Sequence, residues 1–150
     1  MGAKARTILV VEDDRDFEAL VLRALQKTEF SDAVVVARDA SEAMGHLLPS
    51  GNASNSRPCV VFLDLTLPNL DGLELLHYIR SDLAIRTLPV VIFSSSTQTE
   101  DIRRAYAEGA NSFVQKPVGA EALFETVRLL ATYWVTLNEP PPGIQGRTAD

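Results

Sequence analysis

The 150-residue chain has a single cysteine, Cys59, so it cannot form an internal disulfide and a reducing compartment is expected. No apolar run approaches the roughly 20 residues a membrane-spanning helix needs. The residues from Met1 to Arg6 lead into an apolar run too short, and too soon acidic, for a secretory signal. Basic residues are scarce, with 14 Lys and Arg against 20 Asp and Glu, giving a net charge of −6. That balance argues against a nucleic-acid surface, which relies on clustered cations to displace counterions. The two histidines, His46 and His77, have no His or Cys at metal-ligand spacing, so zinc is not expected. These absences leave a cytoplasmic protein with neither nucleic acid nor membrane as a partner.

What is present is ordinary globular composition, 46% hydrophobic and 23% charged. A chain of this length buries about 68–70% of its unfolded surface, enough for one core without disulfide or metal. Five short apolar runs alternate with five stretches of helical period. The runs are Thr7–Val11, Ala33–Ala37, Cys59–Leu63, Leu88–Phe93 and Ser112–Gln115. Uninterrupted apolar runs suit strands covered on both faces, as in a parallel sheet. Between them, Phe17, Leu20, Val21, Ala24 and Leu25 form one helical stripe. Leu73, Leu76 and Ile79 form another; Ile102, Ala105 and Tyr106 a third; and Leu123, Phe124, Val127, Leu130, Ala131 and Trp134 the longest. Gly109 reads as a helix stop that needs positive φ. Strand–helix alternation predicts right-handed βαβ units and a doubly wound α/β sheet.

Two segments differ. Residues 49–58, rich in Ser, Asn, Gly and Pro, read as a loop insertion. Residues 138–150, with Pro140, Pro141 and Pro142 in a row, read as a tail without packed structure after a domain spanning 1–137. No DNA-binding domain is expected beyond Leu137.

In an open parallel sheet, ligands bind at the carboxyl ends of the strands. Four of the five runs end in polar groups: Glu12 and Asp13, then Asp64, then Ser94, then Lys116. Loop hydration explains any one of these but explains the set poorly. Glu12, Asp13 and Asp64 would repel one another if gathered without a cation. An oxygen-only, half-open ligand set suits Mg²⁺. A carboxylate held between that ion and the Lys116 ammonium is placed to attack a phosphoryl group, with Ser94 donating to a transferring oxygen.

The segments Ile8–Asp14, Phe62–Gly72, Pro89–Ser95 and Gly109–Pro117 together resemble a response-regulator receiver domain, in order and spacing, across residues 7–135. The resemblance implies the flavodoxin-like (CheY-like) fold, with strand order 2-1-3-4-5. It implies that Asp64 is the phosphoacceptor. It implies that Asp13, Asp64 and the Thr66 main-chain carbonyl ligate Mg²⁺, with Glu12 acting through water. It implies that Lys116 contacts the phosphate and Pro117 follows a cis bond. Ser94 and Phe113 take the places of the switch hydroxyl and switch aromatic, where threonine and tyrosine are commoner. Asp14 reads as a carboxylate of a helix's first turn.

The helix-ending Tyr133-Trp134-Val135-Thr136-Leu137 segment, the 49–58 loop, Ala37-Arg38-Asp39 and Asp64–Pro68 resemble the stand-alone regulators of phytochrome-type histidine kinases. That implies a sensor histidine kinase as partner, and a homodimer with Tyr133 and Trp134 at its interface. The protein is then no enzyme beyond acting on its own phosphorylation and dephosphorylation. The alternative is a constitutive dimeric scaffold with a vestigial site. A phosphohydrolase with two acidic residues flanking one position would need a carboxylate at Thr66. A flavin-binding domain would need a phosphate loop where Glu12, Asp13 and Asp14 stand.

Overall fold

The computed structural model describes residues 6–48, 57–67 and 70–142. Among the described residues five strands and five α-helices alternate: β1 (Ile8–Val11), α1 (Arg15–Gln26), β2 (Val34–Ala37), α2 (Ala40–Leu47), β3 (Val60–Leu63), α3 (Gly72–Ser81), β4 (Val90–Ser94), α4 (Thr99–Ala107), β5 (Ser112–Gln115) and α5 (Ala120–Ala131). The strands form one parallel sheet in the order β2-β1-β3-β4-β5, the flavodoxin-like arrangement. The expected 49–58 loop lies mostly outside the described residues, as do residues 143–150 of the expected tail. Residues 138–142 carry neither helix nor strand.

Although each strand reads as one apolar run, its side chains alternate between two cores. Ile8 and Val10 join Val60, Phe62, Val91 and Phe93 under α1 and α5. Leu9 and Val11 join Val61, Leu63, Val90 and Ile92 under α2, α3 and α4. A strand buried on both faces has no polar position to spare until it ends. Its first polar residue therefore marks the sheet edge.

Aspartates cap three helices at that edge. Asp14 Oδ1 accepts the Asp16 and Phe17 N–H groups at the start of α1. Asp39 accepts the Glu42 N–H in α2, and Asp71 forms a capping box with Glu74 in α3. Asp14 is thus the N-cap, one residue ahead of the first turn where it is expected. Gly109 has φ +107°, as its helix-stop reading requires.

Three features depart from expectation. Tyr106 belongs to an apolar stripe by spacing, yet it is 50% exposed, and its hydroxyl accepts the Phe113 N–H of edge strand β5. A phenol can lie across a sheet edge and satisfy a backbone donor that a wholly apolar side chain would strand. The last helix changes at Thr132, where residues Thr132–Leu137 continue as a π-helix. The Lys116–Pro117 bond is trans, since the described residues contain no cis peptide; trans is the lower-energy isomer even before proline, by about 0.5–1 kcal/mol.

Arg80, at the end of α3, supports the sheet's opposite end. Its guanidinium donates to the Gly109, Leu88 and Arg86 carbonyls and to Asn111 Oδ1. Burial lowers its pKa from the ordinary value. Asn111 Oδ1 also accepts the Val90 N–H, so one cluster ties α3 to the starts of β4 and β5.

Candidate functional site

The backbone ladders extend one residue past the strands and carry the polar residues with them. Glu12 N–H donates to Ala37 O, Asp64 N–H to Val11 O, and Lys116 N–H to Ser94 O. Four strand ends therefore meet in one cavity of about 780 Å³. Its lining includes Glu12, Asp13, Asp64, Thr66, Ser94 and Lys116. Every residue expected to carry the chemistry is in this group. Phe113 stands apart from it, half-buried against the α2–α4 core.

Glu12, Asp13 and Asp64 each offer a carboxylate oxygen, all within 4.8 Å of one another. Glu12 and Asp64 are buried and Asp13 is exposed. Lys116 Nζ donates to Glu12 Oε1 at 2.8 Å and to Asp64 Oδ2 at 3.3 Å. The other Asp64 oxygen accepts the Thr66 N–H at 3.4 Å, and Glu12 Oε2 accepts the Asp14 N–H at 3.1 Å. Burial pushes the Glu12 carboxyl up to about 7; the Lys116 hydrogen bond opposes this, and the Asp64 charge adds to it. A divalent cation among the three carboxylates would relieve that repulsion. The donor set, all hard oxygen and open on one side through Asp13, fits Mg²⁺.

Two residues in this site were not legible as functional. Phe17 is spaced as a core residue, yet Lys116 Nζ sits 4.0 Å from its ring centroid. The ring stands edge-on to Phe93 at 5.5 Å, so it is a fixed cation–π platform that holds the ammonium over the carboxylates. The only sequence signal was its position five residues after Glu12. Gly72, the first residue of α3, donates its N–H to Leu65 O at 2.8 Å. A Cβ there would lie 2.8 Å from Leu65 Cα and would collide with the Asp64 carbonyl. Only glycine lets α3 start against the strand end that carries Asp64.

Away from the cavity, Tyr133 is half-exposed and stacks edge-on against Trp134 at 4.9 Å. Trp134 packs into the α1–α5 core. Arg6 fastens this segment by donating to the Val135 and Asn138 carbonyls. Cys59 is buried, and burial pushes its thiol up to about 11, in keeping with a packing role. No described helix is long and apolar enough to cross a membrane.

Residues 8–128 match the family described as response regulator receiver domain. The probable methanogenesis regulatory protein FilR2 of Methanothrix harundinacea is 37% identical over 134 residues, covering 89% of this chain and 86% of that protein. The solved structure of the phosphorylated cyanobacterial phytochrome response regulator RcpA superposes with a TM-score of 0.83 at 33% identity, over 92% of this chain and 99% of that one. The manganese-bound form of response regulator Rcp1 superposes at 0.80 with 30% identity, over 91% and 99%. Rcp1 belongs to a Synechocystis species.

Proposed function

Because the chain belongs to the response regulator receiver family of two-component systems, we propose that it is a phosphorylation switch whose Asp64 accepts a phosphoryl group from a sensor histidine kinase. The observation that carries this reading is the buried Asp64 carboxylate. It shares a 4.8 Å cluster with Glu12 and Asp13 and lies 3.3 Å from the Lys116 ammonium. An aspartate Oδ attacks phosphorus, the bond from phosphorus to the kinase imidazole nitrogen breaks, and the electron pair returns to that nitrogen. Water later attacks the same phosphorus and releases inorganic phosphate, restoring the carboxylate.

Glu12, Asp13, Asp64 and the Thr66 carbonyl are the groups that would hold Mg²⁺. When bound, the ion supplies charge neutralisation on the transferring oxygens. That Rcp1 has been solved in a Mn²⁺-bound form supports a divalent site here. Lys116, oriented by the Phe17 ring, stabilises the charge that gathers on the phosphoryl oxygens. Ser94 is buried at the end of β4 beside the acceptor and donates to one of those oxygens. Its movement opens space for Phe113, and the packing change alters the α4–β5–α5 face read by partners.

The resemblance to RcpA favours a phytochrome-type histidine kinase as the donor. Tyr133 and Trp134 are the candidates for a homodimer contact. The test is phosphotransfer from a radiolabelled histidine kinase. The label should move to this chain and stay on the kinase when Asp64→Asn replaces the wild type. Transfer to the variant at the wild-type rate contradicts the reading.

A further inference from the structure

Between β4 and α4 three polar side chains form a relay. Ser94 Oγ, on a residue 3% exposed, accepts the Ser96 N–H at 3.1 Å. Ser96 Oγ accepts the Gln98 N–H at 3.1 Å and donates to Asp101 Oδ2 at 2.5 Å. Asp101 stands in the first turn of α4. Gln98, the N-cap of that helix, makes no side-chain capping bond. One orphan donor at the start of α4, the Gln98 N–H, is therefore met by Ser96, two residues upstream. Ser94, Ser96 and Asp101 all line the cavity that holds Asp64.

The two ends of this relay differ in strength. The Ser96–Asp101 link is charge-assisted and short, of a kind about twice as strong as a neutral hydrogen bond. The Ser94–Ser96 link is neutral and longer. A hydroxyl oxygen on a staggered χ1 occupies one of three positions, so the proposed movement of Ser94 towards a phosphoryl oxygen carries its Oγ away from the Ser96 N–H. The link that yields is the neutral one. Ser96 then stays with α4.

We propose that Ser96 and Asp101 are positioning residues forming a latch, which fixes the first turn of α4 to the Ser94 hydroxyl and frees it when that hydroxyl turns to a phosphoryl group. This rests on the reading of Asp64 as the acceptor. The latch gives the switch hydroxyl a bonded path to α4, separate from the space it vacates for Phe113. Asp101 also favours the helix start electrostatically, so its bond to Ser96 persists in both states.

The test follows two signals on the full chain with Mg²⁺ and beryllofluoride, at concentrations that saturate each protein. Fluorine NMR reports occupancy of the acceptor site, and amide hydrogen exchange reports residues 98–102. In the wild type, bound fluoride should appear and exchange should quicken roughly two- to tenfold, the effect of one net hydrogen bond. In Ser96→Ala and Asp101→Ala, exchange should already be faster by a similar factor without beryllofluoride, and binding should add little. Ser96→Thr keeps the hydroxyl and should restore the wild-type response. Variants that bind fluoride and respond as fully as the wild type overturn the latch and leave the acceptor reading intact. Absence of bound fluoride in the wild type overturns the acceptor reading and the latch with it.

Discussion

Lys116 Nζ lies closer to Glu12, at 2.8 Å, than to Asp64, at 3.3 Å. The ammonium is shared, and its stronger bond goes to the residue that is not the proposed nucleophile. Holding Glu12 leaves Asp64 less tightly engaged, its Oδ1 meeting only a 3.4 Å contact from the Thr66 N–H. A nucleophile bound tightly by its cation would be a poor one.

Removing that cation separates its roles. Lys116→Met keeps the stem over Phe17 and loses the charge. Labelling of Asp64 by acetyl phosphate should slow by about a hundredfold or more, the usual cost of losing one preorganised electrostatic partner. Lys116→Arg should recover part of the rate. Stopped-flow or quenched labelling measures both. A methionine variant within twofold of the wild type would remove Lys116 from the chemistry.

The pH dependence follows from Glu12. Its folded value of about 7 stands above the ordinary 4.5, raised by burial. A proton on Glu12 therefore stabilises the metal-free fold. That contribution is complete below about 4.5 and is lost as pH rises through about 7. Mg²⁺ requires the ionised form, so its affinity should fall about tenfold per pH unit below about 7. Glu12→Gln should flatten both trends. Calorimetric Mg²⁺ titrations at about pH 6 and about pH 8 make the comparison. Equal affinity at the two values contradicts the assignment.

Gly72 and Gly45 make a matched pair. Gly72→Ala drives a methyl into the backbone at Asp64 and Leu65 and should cost about 1–3 kcal/mol, with a fall in Asp64 labelling. Gly45, inside α2, has nothing within 4 Å of an added Cβ. Gly45→Ala should stabilise by about 0.5–1 kcal/mol and leave labelling unchanged. Thermal melts and labelling rates of the two variants check both statements.

The proposed dimer contact predicts an effect confined to assembly. Tyr133→Ser removes a half-exposed ring without opening the core. Sedimentation velocity should show the variant shifted towards monomer, with its melting behaviour close to that of the wild type when dilute. A variant that sediments like the wild type at every concentration moves the interface elsewhere.

The sheet was legible because strands buried on both faces announce themselves as apolar runs. The site was legible because such runs can end only in residues that tolerate the edge. Glu12, Asp13, Asp64 and Ser94 could be read on that ground, at the ends of β1, β3 and β4; Lys116 follows the partly buried edge strand β5 and was legible only as a member of the set. Phe17 could not, because a ring that supports an ammonium and one that fills a core occupy the same helical spacing. Gly72 and the Ser96–Asp101 bond depend on distances between elements, which no local pattern encodes. Tyr106 misled because its ring follows the apolar period while its hydroxyl serves the backbone of β5.

Intact-mass spectrometry after incubation with acetyl phosphate, with and without Mg²⁺, tests the Asp64 assignment most directly. One added phosphoryl group is expected, dependent on Mg²⁺ and absent from Asp64→Asn. Stoichiometric addition to the Asp64→Asn protein, or addition indifferent to Mg²⁺, would contradict it.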